Sequence, residues 1–267
     1  MMTEKQKQRF ARHFLLEGFG QEGQDRLLHS SVLLIGAGGL GSPNALYLAA
    51  AGVGTIGIVD ADLVSLSNLQ RQVIHFTPDV NKPKVESAAE KMRSINPDVK
   101  VITYDCFMTE DNALDIIRDY DFIIDCTDSY ASKYLVNDAC VMAGKPFCTG
   151  GVVKYGAQVM THLPGTACYR CIFPEPPARN EVETCATVGV LGSVVGIMGS
   201  IQATEAIKYL VGVGDLLTNR LLMIDALSME FQTLQFNPDQ ECPLCSEHPS
   251  ITELKEYSFQ PCRVKKG

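Results

Sequence analysis

The sequence predicts an α/β fold, a Rossmann-like, doubly wound and mostly parallel sheet that continues into an antiparallel C-terminal part. Three observations carry that expectation. Short apolar runs alternate with helix-length amphipathic stretches through about residue 145, a glycine-rich turn follows the first run, and strand pairs replace the alternation after Pro146. Strands covered on both faces read as uninterrupted apolar runs, which is the signature of a parallel sheet between helices. With 46% apolar and 20% charged residues, the 267-residue chain can bury a substantial core, and global disorder is excluded.

The elements follow in order. Residues 4–16 and 21–29 are charged and helix-compatible, 31–35 is an apolar strand bounded by glycine, and 40–51 is the helix after it. A strand at 55–59, an amphipathic helix at 83–95 and a strand at 100–104 come next. Helices at 111–119 and 131–143 flank a strand at 122–125. Residues 147–153 and 158–162 read as a strand pair turning at Tyr155-Gly156, and a proline-rich polar loop occupies 164–183. A long apolar helix follows, then strands at 221–224 and 229–236. With no internal repeat, one domain is expected: a nucleotide-binding half over 1–145, a second half over 146–245 and a tail over 246–267.

Charge narrows the partners. The net charge is −8, and the only basic cluster is Arg263, Lys265 and Lys266, a poor basis for binding nucleic acid or anionic lipid. The first ten residues are polar and lack the apolar core of a secretory signal, so the cytoplasm is expected. Residues 186–204 carry no charge and touch the length of a membrane span, but Gly189, Gly192, Gly196 and Gly199 fit a buried, closely packed helix more simply. Packing of that helix against a second copy would give a two-fold homodimer.

Gly36-Ala-Gly38-Gly39-Leu-Gly41 lies between a strand and a helix, the context in which G-x-G-x-x-G signals a dinucleotide or nucleotide phosphate site. Small residues let backbone N–H groups approach phosphate oxygens, and the helix N-terminus adds positive potential. Asp60, about 20 residues on at the end of the next strand, is placed to bind ribose hydroxyls. An NAD(P)-dependent oxidoreductase satisfies this fingerprint. A triphosphate, however, needs cations and a metal-holding carboxylate, and Arg71, Lys84 and Asp128 could supply them.

Two C-x-x-C knuckles, Cys168/Cys171 and Cys242/Cys245, can make a closed tetrahedral four-thiolate site for structural zinc. A redox C-x-x-C is the rival, but that motif normally opens a helix in a thioredoxin-like unit. Cys106, Cys126, Cys140 and Cys148 sit in or beside apolar elements and read as inert thiols.

Gly36 to Gly41, Val59-Asp-Ala-Asp62, Ser67-Asn-Leu-Gln-Arg71, Pro83-Lys-Val-Glu86 and Asp125-Cys-Thr-Asp128 together resemble the ThiF/MoeB/HesA adenylyltransferases, relatives of the ubiquitin-activating enzymes. The resemblance runs from Arg9 to Cys245 with the motifs in the family's order. It implies that Asp60 binds the ribose of ATP, that Asn68 and Arg71 contact phosphates and Lys84 stabilises them, and that Asp128, with Ser129 beside it, holds Mg²⁺. Arg12 matches an arginine that reaches the partner subunit's site, although Phe10 and His13 depart from the usual Arg-Tyr-x-Arg-Gln. Cys185 matches a cysteine on a loop crossing the site that ThiF-like members use to handle sulfur. The implied substrate is the Gly-Gly carboxylate of a ubiquitin-like sulfur-carrier protein, adenylated for later thiocarboxylation. No rhodanese-like extension follows Cys245, so a separate protein is expected to donate the sulfur.

Overall fold

The computed structural model describes residues 2–177, 185–255 and 257. Eight strands of the described residues form a single sheet, and helices cover both faces of its parallel part. The strands are β1 (Ser31–Ile35), β2 (Thr55–Val59), β3 (Lys100–Tyr104), β4 (Phe122–Asp125), β5 (Phe147–Val153), β6 (Gly156–His162), β7 (Arg220–Asp225) and β8 (Glu230–Gln235). Their spatial order is β3-β2-β1-β4-β5-β6-β7-β8. Pairing is parallel from β3 to β5 and antiparallel from β5 to β8, as the change of pattern after Pro146 predicts.

The described helices are α1 (Glu4–Arg9), α2 (Gly20–His29), α3 (Gly41–Ala51), α4 (Lys84–Ile95), α5 (Ala113–Ile117), α6 (Tyr130–Met142), α7 (Tyr169–Ile172), α8 (Cys185–Val188) and α9 (Gly192–Val211). Helices α2, α3, α4 and α9 pack together on one face over a core that includes Val32, Leu34, Ile56, Ile58 and Met198. Helices α5 and α6 cover Leu33, Ile35, Ile123 and Phe147 on the other. Alternate residues of β1 thus enter opposite cores, which is why the strand is apolar throughout.

Several expected elements are shorter or interrupted. The 4–16 stretch is a helix only to Arg9, followed by a 3-10 turn at His13–Leu15. The helix expected over 111–119 is confined to α5, because the Asn112 side chain accepts from Thr109 N and donates to Phe107 O, folding the chain before it. The uncharged 186–204 stretch is not one helix. Gly189 takes φ +81°, and Lys154 pairs with the chain on both sides of Val190, donating to Gly189 O and accepting from Leu191 N. No helix of the described residues is long and apolar enough to cross a membrane.

The glycines of α9 do not present one open backbone face. A Cβ on Gly192 would lie 2.3 Å from Gln70 O, and one on Gly199 would lie 2.4 Å from Pro43 Cγ, so both serve packing within the chain. Only Gly196 of the three faces open space. The buried polar residues of α9 also tie it to the sheet: Gln202 Nε2 donates to Asp125 O, and Glu205 Oε2 accepts from Thr161 Oγ1 and Leu217 N.

Candidate functional site

The strand order reverses between β1 and β4, and ligands of open α/β sheets bind in the crevice beyond the carboxyl ends of strands at such a point. A cavity of about 520 Å³ lies there. It is lined by the turn after β1 (Gly36, Gly38, Gly39), the end of β2 (Asp60, Asp62), Arg71, Lys84 and the turn after β4 (Thr127, Asp128, Ser129).

The glycine turn is built for close approach. Gly36 has φ +107°, and a Cβ on Gly41 would lie 2.1 Å from Gly36 O, so a side chain at either position would open the turn. The N–H groups of Gly38, Gly39 and Leu40 donate to no other described residue, which leaves three backbone donors ahead of α3. An anion is the natural acceptor for such a set.

Asp60 accepts from Ala37 N at Oδ2 and from Asp62 N at Oδ1, each at 2.8 Å. Burial nevertheless holds its carboxyl above the ordinary carboxylate value, opposed by the nearby Lys84. A desolvated carboxylate of this kind gains from further donors such as ribose hydroxyls. Lys84, buried at the start of α4, sits 2.7 Å from Asp62 Oδ2 and 3.8 Å from Asp60 Oδ1. Arg71 is presented by a tight turn: its own N–H and that of Gln72 both donate to Asn68 O. Its stem runs beside Gly39, where a Cβ would lie 3.7 Å from Arg71 Cγ. Asp128 is exposed and makes no bond to another described residue, a carboxylate free to take a cation.

Most of the remaining expected residues are placed differently. Asn68 Oδ1 caps the turn by accepting from Ser65 N, and Asn68 does not line the cavity. Arg12 is exposed and also lies outside the lining. Ser129 lines the cavity beside Asp128, as expected, and also caps α6, accepting from Ser132 N. Cys185 opens the short helix α8 rather than a plain loop, but its side chain lies outside the described residues, as does Cys262.

Sequence reasoning missed the floor of the cavity. Lys133 donates to Asp125 Oδ2 at 2.9 Å and to the Gly150 carbonyl, while Thr149 Oγ1, Thr127 N and Thr127 Oγ1 fill the rest of the Asp125 carboxylate. This buried ion pair fixes the turn that carries Asp128. A lysine in the first turn of an apolar helix gives no sequence signal, since its partner comes from the preceding strand.

The four knuckle thiols converge as expected, their sulfurs all within 4.8 Å of one another and Cys168 and Cys242 fully buried. Cys168 Sγ is 3.7 Å from Cys242 Sγ, and Cys171 Sγ is 3.4 Å from Cys245 Sγ. A tetrahedron with Zn–S bonds of about 2.3 Å has edges of about 3.8 Å, so the donor set fits zinc. Asp239 N–H points at Cys171 Sγ and Cys245 N–H at Cys242 Sγ, which favours thiolates. Arg170, inside the first knuckle, forms a buried two-pronged ion pair with Asp138 of α6 and so anchors the metal site to the domain. By contrast, burial pushes the thiols of Cys126, Cys140 and Cys148 up, as inert thiols require.

Comparison with known proteins decides the family, because the ThiF family matches residues 10–244. The chain belongs to the ThiF family. It is 45% identical over 242 residues to the SAMP-activating enzyme E1 of Haloferax volcanii, covering 91% of this chain and 90% of that protein. It is 42% identical over 261 residues to the sulfur carrier protein adenylyltransferase of Thermus thermophilus, covering 96% of both. Identity to the adenylyltransferase and sulfurtransferase MOCS3 of Aedes aegypti is also 42%, over 96% of this chain and 59% of that longer protein. Crystal structures of MccB from E. coli share the fold, with a TM-score of 0.80 at 22% identity over 91% of this chain and 73% of MccB.

Proposed function

We propose that this ThiF-family protein uses ATP to adenylate the C-terminal Gly-Gly carboxylate of a ubiquitin-like sulfur-carrier protein. The observation that carries the reading is the meeting, in one cavity, of three unpartnered backbone donors, Arg71, Lys84 and the free carboxylate of Asp128. NAD(P) would use the glycine turn and Asp60 but would give Arg71, Lys84 and Asp128 no work.

In the proposed reaction a carrier carboxylate oxygen bonds to the α-phosphorus of ATP and the bond from that phosphorus to the bridging oxygen breaks. The products are an acyl adenylate and pyrophosphate. Asp60 holds the ribose, the turn N–H groups with Arg71 and Lys84 offset the charge on the phosphate oxygens, and Asp128 with Ser129 adjacent holds Mg²⁺. Mg²⁺, when bound, neutralises charge on the phosphates and the departing pyrophosphate. No nucleophile from the protein enters this step. Arg71→Ala should therefore remove about 2–4 kcal/mol of transition-state stabilisation, read as kcat/KM for pyrophosphate exchange. Unchanged kcat/KM in that variant, or calorimetry giving tight NAD binding and no ATP binding, would overturn the reading.

The carrier approaches over the face of β7 and β8 that carries the exposed Met223 and Leu234, with Met223 continuing into the cavity lining. Zinc fills the four-cysteine site and has a structural role. A separate protein donates sulfur afterwards, and Cys185 serves that later transfer.

The functional unit is a homodimer. Tyr47, Val73, Ile197 and Ile201 border an open apolar groove around Gly196, and a second copy would cover it. Each Arg12 then completes the other subunit's site. Mixing Arg12→Ala with Arg71→Ala protein should restore activity, because one wild-type site forms in each mixed dimer. A fully active monomer in sedimentation, or mixed samples no better than either variant alone, would contradict shared sites.

A further inference from the structure

The glycine turn and the ribose carboxylate are linked through a single residue, Ala37. Its N–H donates to Asp60 Oδ2 at 2.8 Å, and its carbonyl lies 2.8 Å from Nε2 of His75, an imidazole buried behind the cavity. The other ring nitrogen, Nδ1, is 2.8 Å from Ser87 Oγ of α4, and Lys91 Nζ donates to that same hydroxyl at 3.3 Å. These contacts fix the tautomer. A carbonyl can only accept, so Nε2 carries the proton, while Nδ1 faces the Ser87 hydroxyl, which Lys91 and the Asp79 carboxylate share. Burial lowers the imidazole's pKa and favours this neutral form.

Peptide geometry turns this contact into a functional one. In a trans peptide the carbonyl of one residue and the N–H of the next point in opposite directions, and the described chain has no cis bond. Because the Ala37 carbonyl is drawn back to His75, the Gly38 N–H of the same peptide points the other way, and Gly38 lines the cavity. We infer that His75 is a positioning residue that aims the Gly38 N–H at the nucleotide phosphates by holding the Ala37 carbonyl. The inference rests on the nucleotide reading of this cavity. It also explains why one short segment carries both Arg71 and His75: it supplies a phosphate-binding cation and sets the backbone donor opposite it.

The test compares His75→Leu, which keeps apolar bulk, with His75→Gln, whose Nε2 can still donate to the carbonyl. Binding of ATP and of adenosine is measured by calorimetry or competition for each. His75→Leu should weaken ATP at least about tenfold, the scale of one hydrogen bond to a charged group, and change adenosine less than about twofold. His75→Gln should recover ATP binding to within about threefold of wild type. Equal losses for ATP and adenosine in His75→Leu would reveal general loosening and overturn the inference, as would a glutamine variant as weak as the leucine one. If His75→Leu does not fold, His75→Met, which also fills the space and offers no donor, takes its place and should weaken ATP relative to adenosine at least about threefold; equal binding changes for the two ligands there overturn the role. Wild-type protein that binds no ATP at all would overturn the nucleotide reading itself, and this inference with it.

Discussion

Asp128→Ala is expected to lower magnesium-dependent pyrophosphate exchange by about 10²–10³-fold while leaving the unfolding temperature unchanged. The two halves of that expectation have separate grounds. Asp128 is exposed and bonds to no other described residue, so its loss should move stability by no more than about 0.5 kcal/mol. Yet it stands at the cavity mouth on a turn held rigid by the Asp125–Lys133 pair, where a carboxylate can hold the metal against the phosphates. Wild-type exchange rates in the variant would remove Asp128 from the mechanism. A large fall in unfolding temperature would instead assign it to the fold.

Cys168→Ser should have the opposite profile, losing bound zinc and destabilising the protein by several kcal/mol. Cys168 is a fully buried member of the four-sulfur set, and a structural zinc site contributes its binding free energy, about 10–16 kcal/mol in zinc-finger peptides, to folding. The site joins the 168–171 knuckle to the 242–245 knuckle across more than 70 residues, so the metal closes a long loop. Metal analysis with thermal unfolding checks it, with Cys185→Ser as the control that should change neither quantity. A Cys168→Ser protein with full zinc content and wild-type stability would contradict a four-cysteine zinc centre.

The sequence made the architecture legible wherever one local rule sufficed. Residues 31–35, 55–59 and 122–125 are apolar because helices cover both faces of the sheet, and each is a parallel strand at those bounds. The glycine turn, Asp60 and the two C-x-x-C knuckles were legible because their chemistry depends on spacing along the chain. What escaped depends on partners distant in sequence. The break at Gly189 is set by Lys154 and the Ala37 carbonyl by His75, and no local window around Gly189 or Ala37 contains the reason for its conformation. Gly192 and Gly199 mislead for the same reason. Their small size is needed by the Arg71 loop and by α3, not by a second copy.

The most direct test of the central claim is ATP–pyrophosphate exchange with magnesium and a sulfur-carrier protein ending in Gly-Gly. Labelled pyrophosphate should enter ATP only when the carrier is present, and a carrier lacking its terminal glycine should give none, because in the proposed reaction its C-terminal carboxylate would then stop one residue, about 3.5 Å, short of the α-phosphate. Exchange that is independent of the carrier, or its absence with every Gly-Gly carrier supplied, would contradict the account.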